Sequence, residues 1–263
     1  MKRALAQLRH DWTVLGSAEP LWAVCVDPTK RDGGWDDTEF LASGDAEVDA
    51  ALDQLAKLRI APEPGRALDF GCGAGRLSHA LARHFAEVVG VDISEPMLAE
   101  ARRLDRGSGP VTFLHHGGDT AELPELESAS FDLVYSDLVF QHMPPELARS
   151  YLQELARVLR PGGCLVLGVP ARERRTLKGI VFRYAPQAVI RWGQRLLLRY
   201  PAPMRMHTMP QPQVCSLLAR NGVTVHAVTE YWAGDHWQHL RYYGCRDSVG
   251  SHPTETDGAS PHG

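Results

Sequence analysis

The chain has 263 residues, of which 44% are hydrophobic and 23% are charged, and its net charge is −4. This composition fits one large globular domain with appendages and excludes an intrinsically disordered chain. A membrane-spanning helix needs about eighteen consecutive apolar residues, and neither such a run nor an apolar signal region at the start is found. The five cysteines form no C-x-x-C pair. They therefore favour reduced thiols in a cytoplasmic protein over a disulfide framework or a zinc site.

Residues 1–60 predict a helical N-terminal cap. Helical patterns at about residues 2–9 and 45–59 flank a turn-rich middle that contains several aromatic residues. We expect Trp22, Trp35 and Phe40 to fold over the ligand pocket as a lid, because aromatic rings attract cations. The alternative is a cap that only buries an edge of the sheet. The stretch APEPG at 61–65 then ends this segment.

From residue 66 to residue 170, short apolar runs alternate with helical patterns. The predicted strands are 66–70, 88–92, 111–115, 131–136 and 164–169, and the predicted helices are 76–85, 95–104 and 145–159. Ser94 precedes Pro96 and is the predicted N-cap of the second helix. This alternation is typical of parallel strands covered by helices on both faces.

The final part of the chain predicts a helix at 213–222 and two strands at 223–230 and 236–245. The connection between these strands is too short for a crossover helix, so they must be antiparallel. We therefore predict an α/β, doubly wound, Rossmann-like sheet of seven strands, mostly parallel, with the last strand antiparallel. Its core would comprise residues 61–170 and 211–246, with an insertion at 171–210 after the fifth strand and a disordered tail at 247–263.

The stretch ALDFGCGAGRLSHAL contains three glycines, Gly71, Gly73 and Gly75, between the first strand and the first helix of the core. The spacing is G-x-G-x-G, and Arg76 stands where the dinucleotide fingerprint has its third glycine. Asp69 lies just before the turn and would repel a pyrophosphate but attract a cation. The turn therefore favours a nucleoside that carries a positive charge, although the glycines could also serve only to shape a tight turn.

Two further acidic residues follow later strands of the predicted sheet. Asp92 ends the second strand, where a carboxylate can accept hydrogen bonds from both ribose hydroxyls. Asp119, in GGDTAELP, could accept from an adenine amine, with Ile93 and Leu123 flanking the ring. The alternatives are a helix N-terminal acid for Asp92 and an ordinary loop turn for Asp119.

Five motifs occur in an order that resembles the class I S-adenosylmethionine-dependent methyltransferases. They are LDFGCGAGRLS, VVGVDIS, GGDTAELP, FDLVYSDLVFQHMPPE and YLQELARVLRPGGCLVLGVP. The resemblance implies that S-adenosylmethionine is the methyl donor and S-adenosylhomocysteine the product. No cluster of metal ligands is found in the sequence, so we expect no metal. Together, the resemblance and the residue types predict nine donor-binding residues: Asp69, Gly71, Cys72, Gly73, Asp92, Ile93, Asp119, Thr120 and Ser136. Asp69 and Ser136 could instead have structural roles.

His142 in FQHMP follows the fourth strand and is the first candidate for a general base, since histidine titrates near neutral pH. His207 in MRMHTMP is the second candidate. His142 could instead cap the following helix or pack beneath the cofactor.

Residues 171–205 contain nine arginines or lysines and one acid, whereas the rest of the chain has a net charge of −12. Arg191, Arg195 and Arg199 recur every four residues and predict one basic stripe on a helix. This stripe could be a solvated face of a lid helix, or it could bind an anionic or lipid-linked acceptor or an anionic membrane surface. Nucleic acid is the least favoured partner.

Three functions remain open from the sequence. The first is methyl transfer to a small molecule, at oxygen before nitrogen or carbon. The second is a catalytically silent S-adenosylmethionine-binding protein. The third is a nicotinamide oxidoreductase, which Arg76 and the antiparallel last strand disfavour.

Overall fold

The computed structural model describes residues 1–105, 107, 109–173, 199–231 and 237–248. Most of the basic insertion, including Arg191 and Arg195, lies outside the described residues, as does the tail from residue 249. Within the described part of the chain, no helix has both the length and the hydropathy needed to cross a bilayer.

Seven strands form a single sheet. They are β1 (Arg66–Phe70), β2 (Glu87–Asp92), β3 (Val111–His115), β4 (Phe131–Ser136), β5 (Leu159–Glu173), β6 (Val223–Tyr231) and β7 (Trp237–Arg246). The strand order is β3-β2-β1-β4-β5-β7-β6. The first five strands pair in parallel, and β7 runs antiparallel to both β5 and β6. The predicted sheet with a reversed last strand is therefore confirmed.

Helices cover both faces of this sheet. They are α1 (Lys2–Ala18), α2 (Pro20–Val24), α3 (Asp37–Lys57), α4 (Arg76–Leu81), α5 (Glu95–Arg103), α6 (Pro145–Val158) and α7 (Gln211–Arg220), with 3₁₀ turns at Pro28–Lys30 and Phe140–His142. Alternate residues of β1 point to opposite faces. Leu68 belongs to a core with residues of α1, α6 and α7, whereas Ala67 belongs to a core with residues of α3 and α4. The apolar alternation thus places each helix group on its own face.

The N-terminal helices are longer than the sequence pattern indicates. Asp36 explains the early start of α3, because its side chain accepts hydrogen bonds from the backbone N–H groups of Thr38 and Glu39 at 2.9 and 3.1 Å. Gly44 lies in the middle of this helix, where a Cβ would be only 2.3 Å from the carbonyl oxygen of Arg76. The glycine that weakens the helical pattern is therefore where α3 packs closely against α4.

The fifth strand begins earlier than predicted. It starts at Leu159, which pairs with Phe131, and its register then shifts before Cys164 pairs with Leu133. Gly162 has a φ of 76° within this irregular stretch. The sequence RPGG, which predicts a break between helix and strand, instead forms a bulge inside the strand.

Candidate active site

The glycine turn between β1 and α4 is tightly constrained. Gly71 and Gly73 have φ angles of 76° and 52°, and the N–H of Gly71 donates to the carbonyl of Val91 at 2.7 Å. A Cβ at Gly71 would lie 2.4 Å from a methyl carbon of Val139, and one at Gly73 would lie 2.7 Å from Val24. Side chains are therefore excluded at both positions by conformation and by space. This leaves bare backbone beside the carboxyl ends of the strands.

A cleft of about 670 Å³, including the space open to solvent, lies next to this turn. Leu8, Trp12 and Val24 from the N-terminal helices form part of its apolar wall. Trp22 instead packs into a core with Leu15 and Met97. The N-terminal segment thus contributes to the cleft, but not through the aromatic residues that were expected to form a lid.

The other two expected lid residues, Trp35 and Phe40, pack against each other with their ring centroids 5.7 Å apart. Phe40 is fully buried. The cation above the Trp22 ring is the side chain of Arg31, at 5.1 Å. The expected attraction between these rings and a bound cation stays a prediction.

Asp92 is the predicted acidic residue that faces the cleft, and Ile93 lines the cleft beside it. Its two carboxylate oxygens accept hydrogen bonds from the N–H groups of Gly73 and Ser94 at 2.9 and 2.8 Å. Burial raises the pKa of Asp92, and these backbone donors partly oppose that rise. The carboxylate is therefore oriented by the glycine turn itself.

Asp69 occupies a different environment from the one expected of a ligand contact. It is almost fully buried, and it accepts a hydrogen bond from the hydroxyl of Ser78 on α4 at 2.6 Å. Burial raises its pKa to about 7. The structure thus places this side chain on the α4 face of the sheet, and its predicted contact with the donor stays a prediction.

Four other predicted donor-binding residues have local partners or lie at the surface. The Cys72 thiol is buried, and burial raises its pKa. The Ser136 hydroxyl donates to the carbonyl of Phe70 at 2.8 Å. Asp119 is exposed and Thr120 is half-buried in the loop after β3.

His116 lines the cleft at the end of β3, although sequence reasoning did not single it out. Its Nε2 atom is 3.0 Å from the carbonyl oxygen of Thr120, and its Nδ1 atom is 3.2 Å from Glu125. The imidazole thus connects the loop that carries Asp119 to the floor of the cleft. The sequence feature that could have indicated His116 is its position immediately after the third strand.

Asp137 is a second carboxylate in the cleft wall that the sequence motifs did not indicate. It accepts hydrogen bonds from the guanidinium of Arg241 and the hydroxyl of Tyr231. Arg241 also contacts Glu47 on α3 at 2.6 Å, and Glu47 pairs with Arg76 at 2.8 Å. These contacts join the N-terminal cap, the glycine-turn helix and the reversed strand in one buried network.

The two carboxyl groups of this network, Glu47 and Asp137, have pKa values shifted in opposite directions. Burial, with the nearby carboxylate of Asp137, raises the pKa of Glu47. Burial also disfavours ionisation of Asp137, but the charge of Arg241 and the hydrogen bonds from Glu47, Tyr231 and Arg241 together outweigh burial and hold the pKa of that carboxyl below its usual value. Of these two carboxyl groups, Asp137 is therefore the one that ionises more readily.

His142 lines the same cleft as Gly71 and Gly73 of the glycine turn. Its Nδ1 atom is 2.8 Å from the carbonyl oxygen of Arg205, and its Nε2 atom is 3.1 Å from the amide nitrogen of Gln141. Trp12 packs edge-on against the ring at 4.8 Å between centroids. Burial lowers the pKa of His142 to about 4. The imidazole is therefore neutral at pH 7, with the proton on Nδ1, where a carbonyl accepts it.

His207 lies close behind this pair. Its backbone N–H donates to the carbonyl of Gln141 at 2.6 Å. Its Nε2 atom and the side-chain oxygen of Gln141 are buried with no hydrogen-bond partner among the described residues. Burial lowers the pKa of His207. The two histidines named by the sequence are thus close to each other, and His142 is the one that lines the cleft.

The comparisons with known proteins agree with this geometry. A family model described as a methyltransferase domain matches residues 67–163. The ubiquinone biosynthesis O-methyltransferase of Sinorhizobium fredii is 30% identical over 191 residues, which cover 70% of this chain and 74% of that protein. The trans-aconitate 2-methyltransferase of Methylobacterium nodulans is 38% identical over 139 residues, which cover 52% of this chain and half of that protein. The chain therefore belongs to the class I S-adenosylmethionine-dependent methyltransferases.

Solved structures extend the likeness of the fold. The magnesium protoporphyrin IX methyltransferase of Synechocystis PCC 6803, crystallised with S-adenosylhomocysteine, superposes with a TM-score of 0.62 at 23% identity. The match covers 93% of this chain and all of that one. The fold of the N-terminal and C-terminal parts outside the family model is thus shared with a methyltransferase.

Proposed function

We propose that this methyltransferase acts on an oxygen atom of a small molecule that enters the cleft beside His142. The observation that carries the proposal is a neutral imidazole in the wall of the cleft that Gly71 and Gly73 also line. Its Nδ1–H group is fixed by the Arg205 carbonyl. Nε2, which now contacts the amide nitrogen of Gln141, is therefore the nitrogen whose lone pair can accept a proton once that amide moves.

The residues beside the glycine turn fit the methyl donor of the family. Gly71 and Gly73 line the cleft without side chains, so a ligand can approach their backbone closely. Asp92 offers carboxylate oxygens for ribose hydroxyls. When bound, S-adenosylmethionine supplies a methyl group attached to a positively charged sulfur.

His142 would remove the proton from the acceptor hydroxyl. A pKa of about 4 keeps the imidazole unprotonated, but it also makes the imidazolium unfavourable unless a hydrogen-bond acceptor meets the new N–H. Gln141 can supply that acceptor, because rotation of its amide exchanges the nitrogen that now contacts Nε2 for the unpartnered oxygen. Gln141 would therefore act as a positioning residue for the proton transfer.

The cleft wall favours an acceptor with an apolar body. Leu8, Trp12, Met143 and Tyr151 line it together with the polar groups already described. A ring or chain of low polarity would be buried against these side chains, and its hydroxyl would reach the imidazole. The Sinorhizobium relative is an O-methyltransferase by name, which supports oxygen as the acceptor atom.

An anionic or lipid-linked acceptor remains a separate proposal. It rests on the nine basic residues at 171–205, most of which lie outside the described residues. Arg205, at the end of that segment, is 3.5 Å from the buried Asp11 on α1 and is therefore already paired. Replacing Arg191, Arg195 and Arg199 together by Gln tests the rest. An unchanged KM for the acceptor and unchanged liposome binding would show that the basic stripe is only a solvated face. The cytoplasmic location stays a prediction.

The function is tested by incubating the protein with cell extract and S-adenosylmethionine that carries a trideuterated methyl group. Mass spectrometry should reveal a small molecule that gains the labelled methyl, and its fragmentation should place the label on oxygen. A label on nitrogen or carbon would correct the acceptor atom. Calorimetric binding of the donor without any labelled product would instead indicate a catalytically silent binding protein.

A further inference from the structure

Two cysteines face each other across neighbouring antiparallel strands, far from the cleft. Cys164 of β5 is directly opposite Cys245 of β7 in the strand register. Their sulfur atoms are 3.2 Å apart, although the residues are 81 positions apart along the chain. A disulfide has a sulfur–sulfur distance of about 2.05 Å, so an approach of roughly 1 Å would join them. Both residues are free cysteines in this structure.

The two thiols differ in their access to solvent. Cys164 is fully buried, and its sulfur is 2.6 Å from the carbonyl oxygen of Ile60. Cys245 is half-buried and lines a surface depression together with Arg59, His226 and Arg246. A small reagent can therefore reach Cys245 first, and Cys164 lies directly behind it.

The pKa values of the two thiols differ in the same sense as their access to solvent. Either sulfur can be the donor in their contact. When Cys164 donates, the contact lowers the pKa of Cys245, although burial opposes that shift. The same contact, followed by burial, raises the pKa of Cys164. By contrast, burial raises the pKa of Cys25, Cys72 and Cys215. A thiolate is the reactive form of cysteine, so Cys245 is the expected site of first attack.

We propose that Cys164 and Cys245 form a reversible dithiol that hydroperoxides oxidise to a cross-strand disulfide. The Cys245 thiolate attacks one peroxide oxygen, the O–O bond breaks, and the leaving oxygen takes a proton to become water or an alcohol. Cys245 is then a sulfenic acid. The sulfur of Cys164 attacks it, the S–O bond breaks, and a second molecule of water leaves with the Cys164 proton. The two thiols are oxidised by two electrons, and the peroxide is reduced by two.

The expected consequence is structural. The pair lies toward the amino-terminal end of β5, whereas the cleft lies at the carboxyl ends of the parallel strands. A disulfide there would tie the reversed strand β7 to the central part of the sheet and would restrict the unfolded chain across a long loop. Oxidation should therefore raise the denaturation midpoint without altering the donor site.

The test uses the folded, full-length protein and hydrogen peroxide in slight excess. After alkylation and trypsin digestion, mass spectrometry should find the Cys164 and Cys245 peptides joined, with the loss of two hydrogen atoms. The urea midpoint should rise and should return to its starting value with dithiothreitol. Joined peptides that involve Cys25, Cys72 or Cys215, or Cys245 oxidised only to sulfinic acid, would overturn the proposal.

Cysteine variants test which of the two thiols is oxidised first. In Cys164→Ala, Cys245 should remain as a sulfenic acid that dimedone labels. In Cys245→Ala, Cys164 should remain unmodified because it has no access to the peroxide. Cys215→Ser is the matched control and should still form the disulfide. Dimedone labelling of Cys164 in the Cys245→Ala protein, or an absence of labelling in the Cys164→Ala protein, would contradict the assigned roles.

Discussion

The two sides of the cleft are built in different ways. The side that we assign to the donor comes from one continuous stretch of the chain. Within it, Gly73 and Asp92 are hydrogen-bonded and only 19 positions apart. The side that we assign to the acceptor joins His142 to Arg205 across 63 positions and adds Trp12 from the first helix. Local motifs therefore specify the donor side, whereas tertiary packing determines the acceptor side.

The largest effect is expected on the donor side, from Gly71→Ala. The new Cβ would be forced into a φ of 76° and would lie 2.4 Å from Val139. Backbone strain and the displacement of Val139 together should cost about 3 kcal/mol. Relief of this strain would shift the turn that lines the cleft, so we expect the affinity for S-adenosylhomocysteine, measured by calorimetry, to fall about 100-fold.

Gly222→Ala is the matched control for that variant. Its φ is 72°, but no heavy atom of the described residues lies within 4 Å of the position that the new methyl carbon would take. It should therefore report the backbone strain alone and leave the donor affinity unchanged. Equal losses of affinity in the two variants would show that the Gly71 effect comes from general destabilisation.

The next effect belongs to the acceptor side. His142→Gln removes the proposed base, and general bases contribute roughly 100-fold or more to turnover. We expect kcat to fall by about that factor while the affinity for S-adenosylhomocysteine stays the same. A variant that folds and keeps the full kcat would eliminate the base.

Gln141→Glu then tests how the base is positioned. A carboxylate beside Nε2 would favour the imidazolium and should raise the pKa of His142 from about 4. The imidazole resonances in an NMR titration measure that pKa directly, without any substrate. Gln141→Met is the control and should not raise it. A titration of the Gln141→Glu protein that matches the wild type would rule out the proposed contact.

A smaller contrast separates two acidic residues on the donor side. Asp92 lines the cleft, whereas Asp119 is exposed in the loop after β3. Hydrogen bonds to a charged group are worth about 1.5–3 kcal/mol, so Asp92→Asn should weaken donor binding by roughly tenfold or more. Asp119→Asn should change it by less than about twofold, because its side chain is solvated. Equal losses would support the sequence prediction that both acids bind the nucleoside.

Asp69→Asn should alter stability and its pH dependence rather than donor binding. The folded protein holds a proton on Asp69 up to about pH 7, whereas an unfolded aspartate releases it near 3.8. The wild type therefore loses stability as the pH rises through this window, and the Asn variant does not. The variant should gain roughly 2–4 kcal/mol relative to the wild type between pH 4 and pH 7. Urea unfolding at both pH values measures this, and a constant difference would contradict it.

Most of the sheet could be predicted from the sequence, because apolar runs and helix signals are local. Ser94 is an example, since it caps α5 as its position before Pro96 indicates. The donor side was predictable in part. The ends of β1 and β2 locate Gly71 and Asp92, but the direction in which Asp69 points depends on the packing of α4, which the motif does not encode.

The acceptor side could not be predicted to the same depth. His142 and Arg205 are hydrogen-bonded across 63 positions, and no local sequence pattern predicts such a pair. The role of Trp12 depends on how α1 lies across the cleft, and Trp22, Trp35 and Phe40 were equally plausible from composition alone. Long-range packing determines which of these aromatic residues lines the cleft.

The central claim is that one cleft places the donor against Gly71 and Asp92 and faces its sulfur toward His142. A crystal structure with S-adenosylhomocysteine tests this most directly. We expect the ribose hydroxyls on the Asp92 carboxylate and the sulfur on the His142 side of the cleft. Density for the nucleoside elsewhere on the protein, or a sulfur that points away from His142, would contradict the account.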